Sequence, residues 1–141
     1  MSRPSPSALA ACACFNVRKA SRALTQAYDD ALRPVGIKAT QFSLLAMLAG
    51  QGVVGVGSLA RALGMDRTTL TRNLAPLERD GLVETVDATD RRRRLIRLTG
   101  AGEACFKGAE PRWRAVQEGV VARLGADRFG DLLYALGALS H

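Results

Sequence analysis

The sequence predicts a mostly helical α+β fold, in which amphipathic helices surround one short β-hairpin. Apolar residues recur every three or four positions over most of the chain, the spacing of helices with one buried face. The exception is residues 82–98, where two short runs rich in aliphatic residues flank a polar loop. The chain has 141 residues, of which 48% are hydrophobic, enough for a single domain with a buried core.

The N-terminal helix is predicted to be long. An apolar stripe at helical spacing runs from Leu9 to Leu32, about seven turns, and a proline-containing segment at residues 33–36 ends it. A monomer of this size has too little surface to cover such a stripe, so part of it is expected to pack on another subunit. Thr40 is the predicted N-cap of a second helix, which stops at Gly50.

Two short helices separated by Gly64-Met65-Asp66 have the proportions of a helix-turn-helix. The first is predicted between Gly55 and Gly64; the second starts after its N-cap, Asp66, and closes at Gly81. The first turns of the second helix carry donors suited to base edges and phosphate oxygens in a major groove. These predicted DNA contacts are Arg67, Thr68, Thr69, Thr71, Arg72 and Asn73. An ordinary solvent-exposed helix face has the same polar character.

Four consecutive arginines lie in the loop of the predicted hairpin. Residues 82–86 and 95–98 are the predicted strands, and the sequence DATDRRRR connects them. Arginines on a projecting loop can enter the narrow minor groove or hold phosphates beside a recognition helix. A charge run that only aids solubility is the alternative, and it is disfavoured because the run directly follows a helix-turn-helix pattern.

Charge and composition narrow the function further. Twenty Lys and Arg against thirteen Asp and Glu give a net charge of +7, which favours an anionic partner such as nucleic acid. No apolar run reaches the roughly 18 residues of a membrane span, and the N-terminus lacks a secretion signal, so a cytoplasmic protein is expected. The one histidine is His141, and no phosphate-binding glycine motif is present, so we predict no enzyme, cofactor or metal.

The segment SLARALGMDRTTLTRNLAPLERDGLVE, followed by DRRRRLIRLTGAG, resembles the winged helix-turn-helix core of the MarR family of bacterial transcriptional regulators. The wing pattern of that family is matched by Asp90, Arg92, Leu95-Ile96, Leu98-Thr99 and Gly102. The resemblance implies a homodimer that binds a pseudo-palindromic operator on double-stranded DNA, with repression as the expected effect. It also implies that Asp90 and Arg92 shape the wing and that Arg92 enters the minor groove. The additional wing arginines are assigned to phosphates: Arg91, Arg93 and Arg94.

The family resemblance implies a division of the single domain. Residues 8–33 and 100–141 would form the dimerisation region, and residues 37–99 the winged helix-turn-helix lobe. Two apolar stripes after Thr99, the predicted N-cap of the fifth helix, support this use of the C-terminus, with a break between them at Gly125. Pro111 is expected to bend the fifth helix near its start.

The first helix is similar to that of the branch of the family that senses organic hydroperoxides. The similarity rests on Cys14-Phe15 and on residues 21–26, with the sequence SRALTQ. It implies stress-responsive redox sensing: the Cys14 thiolate is oxidised to sulfenic acid and condenses with a second thiol, for which Cys105 is the candidate, and the DNA is released. At the positions of two tyrosines of that branch, this chain has Arg18 and Phe42.

Three other hypotheses stand beside redox sensing. Cys12, Cys14 and Cys105 are three soft ligands for a thiophilic ion, although side chains two apart on one helix point about 200° apart unless the helix begins after Cys12. In a second hypothesis, the protein responds to a small aromatic or anionic molecule that binds it as an effector. Finally, an architectural protein would coat DNA with no sequence preference, and it would show a steep salt dependence and little specificity.

Overall fold

The computed structural model describes residues 3, 5–86 and 93–140, which confirm a mostly helical α+β fold. The described α-helices are α1 (Pro6–Ala10), α2 (Ala13–Leu32), α3 (Ala39–Leu48), α4 (Val56–Leu63), α5 (Arg67–Arg79), α6 (Gly100–Leu124) and α7 (Ala126–Leu139), and a short 3₁₀ helix, Arg33–Val35, follows α2. The described strands are β1 (Val54–Gly55), β2 (Val83–Val86) and β3 (Leu95–Leu98), in the antiparallel order β1-β3-β2. No helix among the described residues is long and apolar enough to span a bilayer.

The N-terminal helix is broken, which corrects the prediction of one continuous helix over Leu9–Leu32. α1 ends at Ala10, and α2 begins at Ala13 with Cys12 as its N-cap. The side-chain amide of Asn16 donates hydrogen bonds to the carbonyl oxygens of Ala10 and Cys12, each at 2.8 Å. One side chain thus satisfies two carbonyl groups at the break, and this stabilises the change of direction.

The prediction of Thr40 as the N-cap of the second long helix is wrong. The N-cap is Lys38, two residues earlier, and α3 begins at Ala39. The Asp29 carboxylate of α2 accepts a hydrogen bond from the Ala39 amide at 2.7 Å, and the Gln41 side chain accepts one from the Lys38 amide at 2.8 Å. Because Asp29 lies on the preceding helix, the cap also fixes α3 against α2.

The helix-turn-helix has the ends that the sequence predicts. Gly55 precedes α4, and Gly64 follows it in the left-handed conformation with φ of 65°. Asp66 is the N-cap of α5, and its carboxylate accepts a hydrogen bond from the Thr69 amide at 2.7 Å. α5 continues past Pro76, and α6 continues past Pro111. The bend predicted at Pro111 stays a prediction.

β1 was not predicted, because two residues give no periodicity to detect. It pairs with β3 through Val54 and Ile96, so the hairpin becomes a three-stranded sheet. The amide of Val56, the first residue of α4, donates a hydrogen bond to the Arg94 carbonyl at 2.9 Å. Residues 93–95, the base of the wing, are therefore attached to the start of the helix-turn-helix.

A half-buried ion pair fixes the wing to α5. The Arg94 guanidinium at the start of β3 contacts the Glu78 carboxylate, and both side chains are 31% exposed. The same Glu78 oxygen accepts a hydrogen bond from the Thr85 hydroxyl of β2 at 3.3 Å. One carboxylate thus contacts both strands of the hairpin.

The core lies beneath the helix-turn-helix. Its largest fully buried side chains come from α2, α3, α4, α5 and β3: Leu32, Leu44, Leu45, Leu48, Leu59, Leu70, Leu74, Leu77 and Ile96. At about 25 cal/mol per Å² of apolar area removed from water, each such leucine contributes about 1.5 to 3 kcal/mol to folding. The core is therefore the main force that positions α4 and α5.

Thr99 joins the wing to α6. Its amide donates to the Leu82 carbonyl at 3.1 Å, and its hydroxyl donates to the Gly81 carbonyl at 2.6 Å. The same hydroxyl accepts a hydrogen bond from the Gly102 amide at 3.0 Å, which confirms Thr99 as the N-cap of α6. Gly102 is buried, and a Cβ atom there would lie 2.0 Å from the Leu82 carbonyl oxygen. Only glycine allows this close approach of α6 to the segment that follows α5.

Gly102→Ala is expected to lower the free energy of unfolding by about 3 kcal/mol, because the added methyl group overlaps a backbone carbonyl. Gly108→Ala is the matched control, since a Cβ there meets no described atom within 4 Å. It should raise the free energy of unfolding by about 0.5 to 1 kcal/mol, the helix-propensity gain of alanine. Denaturant titration measures both, and equal stability of the two variants would contradict the close approach.

Candidate nucleic-acid interface

α5 has one buried face and one exposed polar face. Leu70, Leu74 and Leu77 are fully buried, and the opposite side faces solvent. Five of the six side chains predicted to contact DNA from this helix are exposed: Arg67, Thr68, Thr69, Thr71 and Arg72. The sixth, Asn73, is half-buried, and its amide donates to the Met65 sulfur at 3.7 Å. The polar surface is therefore concentrated in the first two turns of α5.

The start of α5 is held by two hydrogen bonds to Asp66. Its carboxylate accepts from the Thr69 amide at 2.7 Å and from the Thr69 hydroxyl at 3.0 Å. The backbone hydrogen bond from Thr69, and then the hydroxyl, lower the pKa of Asp66 below its usual value. Asp66 is therefore ionised at neutral pH. The Thr69 hydroxyl hydrogen is engaged by this carboxylate, which leaves its oxygen lone pairs and methyl group for a partner.

The two described wing arginines differ in their surroundings. Arg93 is exposed, whereas Arg94 is half-buried in the ion pair with Glu78. The other predicted wing contacts, Asp90, Arg91 and Arg92, lie outside the described residues. Their roles stay predictions.

An open groove of about 410 Å³ lies between α4, α5 and the wing base. Its polar lining consists of Ser58 and Arg61 from α4, Arg67 from α5, and Arg93 and Arg94 from the wing. Ser58 and Arg61 were not predicted, although their spacing places both on the exposed side of α4, opposite its buried apolar residues. The groove extends the basic surface from α5 and the wing onto α4.

The three cysteines do not form a cluster. Cys14 is exposed in the first turn of α2, Cys12 is half-buried just before it, and Cys105 is half-buried on α6. α2 does begin after Cys12, as the thiophilic-ion hypothesis requires, but no three His, Cys, Asp or Glu side chains of the described chain are placed to hold a metal. Burial raises the pKa of the Cys105 thiol, which disfavours its thiolate at neutral pH.

Phe42 belongs to an aromatic cluster between the N-terminal and C-terminal helices. Its ring is buried and stacks on Phe106 at a centroid distance of 5.6 Å and on Trp113 at 5.5 Å. Tyr28 stacks on the other side of the cluster, 6.5 Å from Trp113, and its hydroxyl donates to Gln117 at 2.7 Å. The phenylalanine therefore packs α3 on α6.

Known proteins share this arrangement. Residues 35–93 match the sequence profile of the MarR family. One solved structure similar to this chain is the transcriptional regulator MosR of M. tuberculosis in complex with DNA. The two sequences are 43% identical and the structures superpose with a TM-score of 0.84, over 92% of this chain and 93% of MosR. The transcriptional repressor CouR, bound to a 23-mer DNA duplex, has a TM-score of 0.86 at 23% identity, with 99% and 100% of the two chains covered, and shows the same fold.

A curated relative is similar in sequence over part of its length. The transcriptional activatory protein BadR of Rhodopseudomonas palustris is 33% identical over 106 residues, which are 72% of this chain. The aligned part spans 61% of the length of BadR. Together with the match to MosR over nearly the whole chain, these similarities show that the chain belongs to the MarR family of transcriptional regulators, which bind DNA and are not enzymes.

Proposed function

We propose that the chain acts as a homodimer that binds a pseudo-palindromic operator in the cytoplasm and represses transcription. The observation that carries this proposal is the exposed polar face of α5, oriented by three fully buried leucines and by the Asp66 cap. It lies beside the basic groove and the wing. The complex of MosR with DNA supports the proposal, since that protein is 43% identical.

The contacts divide by the chemistry of the duplex. Side chains in the first two turns of α5 read base edges and adjoining phosphates in the major groove: Arg67, Thr68, Thr69, Thr71 and Arg72. Asn73 is half-buried and would contribute at the edge of this surface. In the wing, Asp90 shapes the loop and Arg92 enters the minor groove, while phosphates are contacted by Arg91, Arg93 and Arg94.

The described chain carries exposed apolar surface on its N-terminal and C-terminal helices. The side chains concerned are Leu9, Phe15, Val17, Leu24, Leu132, Leu133 and Leu139. An open, mainly apolar groove of about 550 Å³ between α2 and α7 is lined in part by Val17, Leu24 and Leu132. A second copy would remove this surface from water. Residues 8–33 and 100–141 are thus proposed to form the dimerisation region, and residues 37–99 the DNA-binding lobe.

Oxidation of Cys14 is the proposed signal for release. In its deprotonated form the exposed Cys14 thiol attacks an oxygen of a hydroperoxide and the O–O bond breaks. The sulfur becomes sulfenic acid, and the alkoxide leaves and takes up a proton from water to become the alcohol. A second thiol then displaces water to form a disulfide. Burial raises the pKa of Cys105 and makes it a poor first nucleophile, which agrees with the roles that the family resemblance implies, Cys14 as the reacting residue and Cys105 as the candidate resolving thiol. A small aromatic or anionic effector is the alternative.

DNA binding is tested with operators selected from a random duplex library. The selected operator should bind at least about 10³-fold tighter than a random duplex at the same salt concentration. Arg92→Ala should weaken operator binding by about 10- to 100-fold through loss of the wing contact. Arg3→Ala, at an exposed arginine outside both proposed regions, serves as the charge-matched control. Equal affinity for selected and random duplexes would instead identify an architectural protein. Transcription is then measured from a promoter that contains the operator, with and without the protein. A decrease shows repression, and an increase shows activation, the role that its name gives to BadR.

The homodimer is tested by a double variant in the apolar groove, Val17→Lys with Leu132→Lys. Sedimentation should show a monomer, since two charges replace apolar contacts, and operator affinity should fall by at least about 100-fold because the two half-sites are no longer bound together. Val53→Lys is the matched control: Val53 is 46% exposed, compared with 42% for Val17, but lies next to β1. The proposal fails if the double variant still sediments as a dimer.

Redox release is tested by gel shift with an organic hydroperoxide. Wild-type protein should release the operator under oxidant and rebind it after reduction, whereas Cys14→Ser should bind normally and stay bound. Cys12→Ser, which removes the neighbouring half-buried thiol, should behave as the wild type. Wild-type protein that keeps its operator under oxidant would end the redox proposal and favour a small-molecule effector.

A further inference from the structure

The basic groove is built at the meeting point of three elements. α4 supplies Ser58 from its first turn and Arg61 from its last turn, the start of α5 supplies Arg67, and the wing base supplies Arg93. All four of these side chains are exposed. The described lining includes four arginines and no carboxylate. Positive charge therefore converges on one open site from segments that are distant in sequence.

The arginines of the groove are not equivalent. Arg94 contacts Glu78, so most of its charge is balanced within the fold. Arg61 makes only a long contact, 3.4 Å from its Nη2 atom to the Ser58 hydroxyl oxygen, among the side-chain hydrogen bonds of the described residues. Arg67 and Arg93 form no ion pair within the described part of the chain. The net charge of the groove thus comes from Arg61, Arg67 and Arg93.

The backbone at the start of α4 adds to this field. Gly55 is the N-cap, and no side chain caps the helix. The Val56 amide donates to the Arg94 carbonyl, but Gly57 has no side chain to shield the helix start, and no described atom of another element lies within 4 Å of the position that a Cβ would take. An anion can therefore approach the backbone amides at the positive end of the helix dipole while it contacts the Ser58 hydroxyl and the guanidinium groups.

We propose that this groove binds one phosphodiester of the DNA backbone and that Ser58 and Arg61 are DNA-contacting residues, together with Arg67 and Arg93. This inference rests on the proposed DNA-binding function and adds α4 to the interface. The ligand is a phosphate of the duplex rather than free phosphate, because α5 and the wing border the groove and would bring the backbone to it. A phosphate contact sets affinity and its salt dependence and carries no sequence information.

The test measures the affinity of Arg61→Gln for the selected operator and for a random duplex over a series of salt concentrations. Affinity should fall by roughly tenfold for both duplexes, so that their ratio is unchanged. The slope of log K against log salt should become shallower by about 1.8, since the dimer loses one phosphate contact in each subunit and each contact accounts for about 0.9. Ser58→Ala should weaken both duplexes less, with the slope unchanged, because it removes a neutral donor. Arg3→Gln is the control with the same change of charge, at an exposed arginine outside both the proposed dimerisation region and the proposed DNA-binding lobe.

The possible outcomes separate this inference from the proposed function. If the wild type does not bind duplex DNA, the proposed function itself fails. If the wild type binds, and Arg61→Gln has the wild-type salt slope and affinity, the phosphate site is wrong while the regulator stands. A change in the operator-to-random ratio would overturn the assignment to a phosphate and indicate a base contact. Titration with inorganic phosphate at constant ionic strength tests whether the ligand is free phosphate. If free phosphate binds in a manner that depends on Arg61 while DNA binding by Arg61→Gln is unchanged, the assignment to a phosphate of the duplex is wrong.

Discussion

The orientation of α5 depends on the burial of one face of this helix. Leu70, Leu74 and Leu77 are fully buried, and turning the helix about its axis would expose them and bury arginine and threonine side chains. Exposing three leucines costs about 5 to 9 kcal/mol, which is comparable to the total stability of a small domain. The apolar core therefore determines which polar side chains face outward, and the cap at Asp66 determines where they begin.

The features that the sequence predicted correctly are those set by neighbouring residues. The limits of α4 and α5 follow from Gly55, Gly64 and Asp66, because a cap or a left-handed turn depends on residues within one helical turn. The start of α3 could not be predicted in this way, since its amide is capped by Asp29 of another helix. The break before α2 likewise depends on Asn16, whose side chain reaches back six residues.

In the basic groove, too, only the residues that belong to a local sequence pattern could be predicted. Arg67 and Arg93 were predicted because a recognition helix and a wing have local patterns. Arg61 was missed because its importance depends on the distance between α4 and the wing base, which the pairing of β1 with β3 establishes. Nor can composition distinguish Arg93 from Arg94, although the tertiary fold exposes one and pairs the other with Glu78. A run of like charges acquires different roles only when partners from other elements approach it.

Specific contacts connect the terminal helices to residues 37–99, the proposed DNA-binding lobe, and they bear on how a signal could reach α5. On one side, Asp29 caps α3 and the aromatic cluster packs α3 on α6. On the other, Thr99 and Gly102 attach α6 to the carbonyl groups just after α5. A displacement of α2 or α6 would therefore move the lobe as a body, because its densely packed core resists local deformation. In the proposed dimer, such a movement would change the separation of the two α5 helices, and binding to an operator with fixed spacing would be sensitive to that separation.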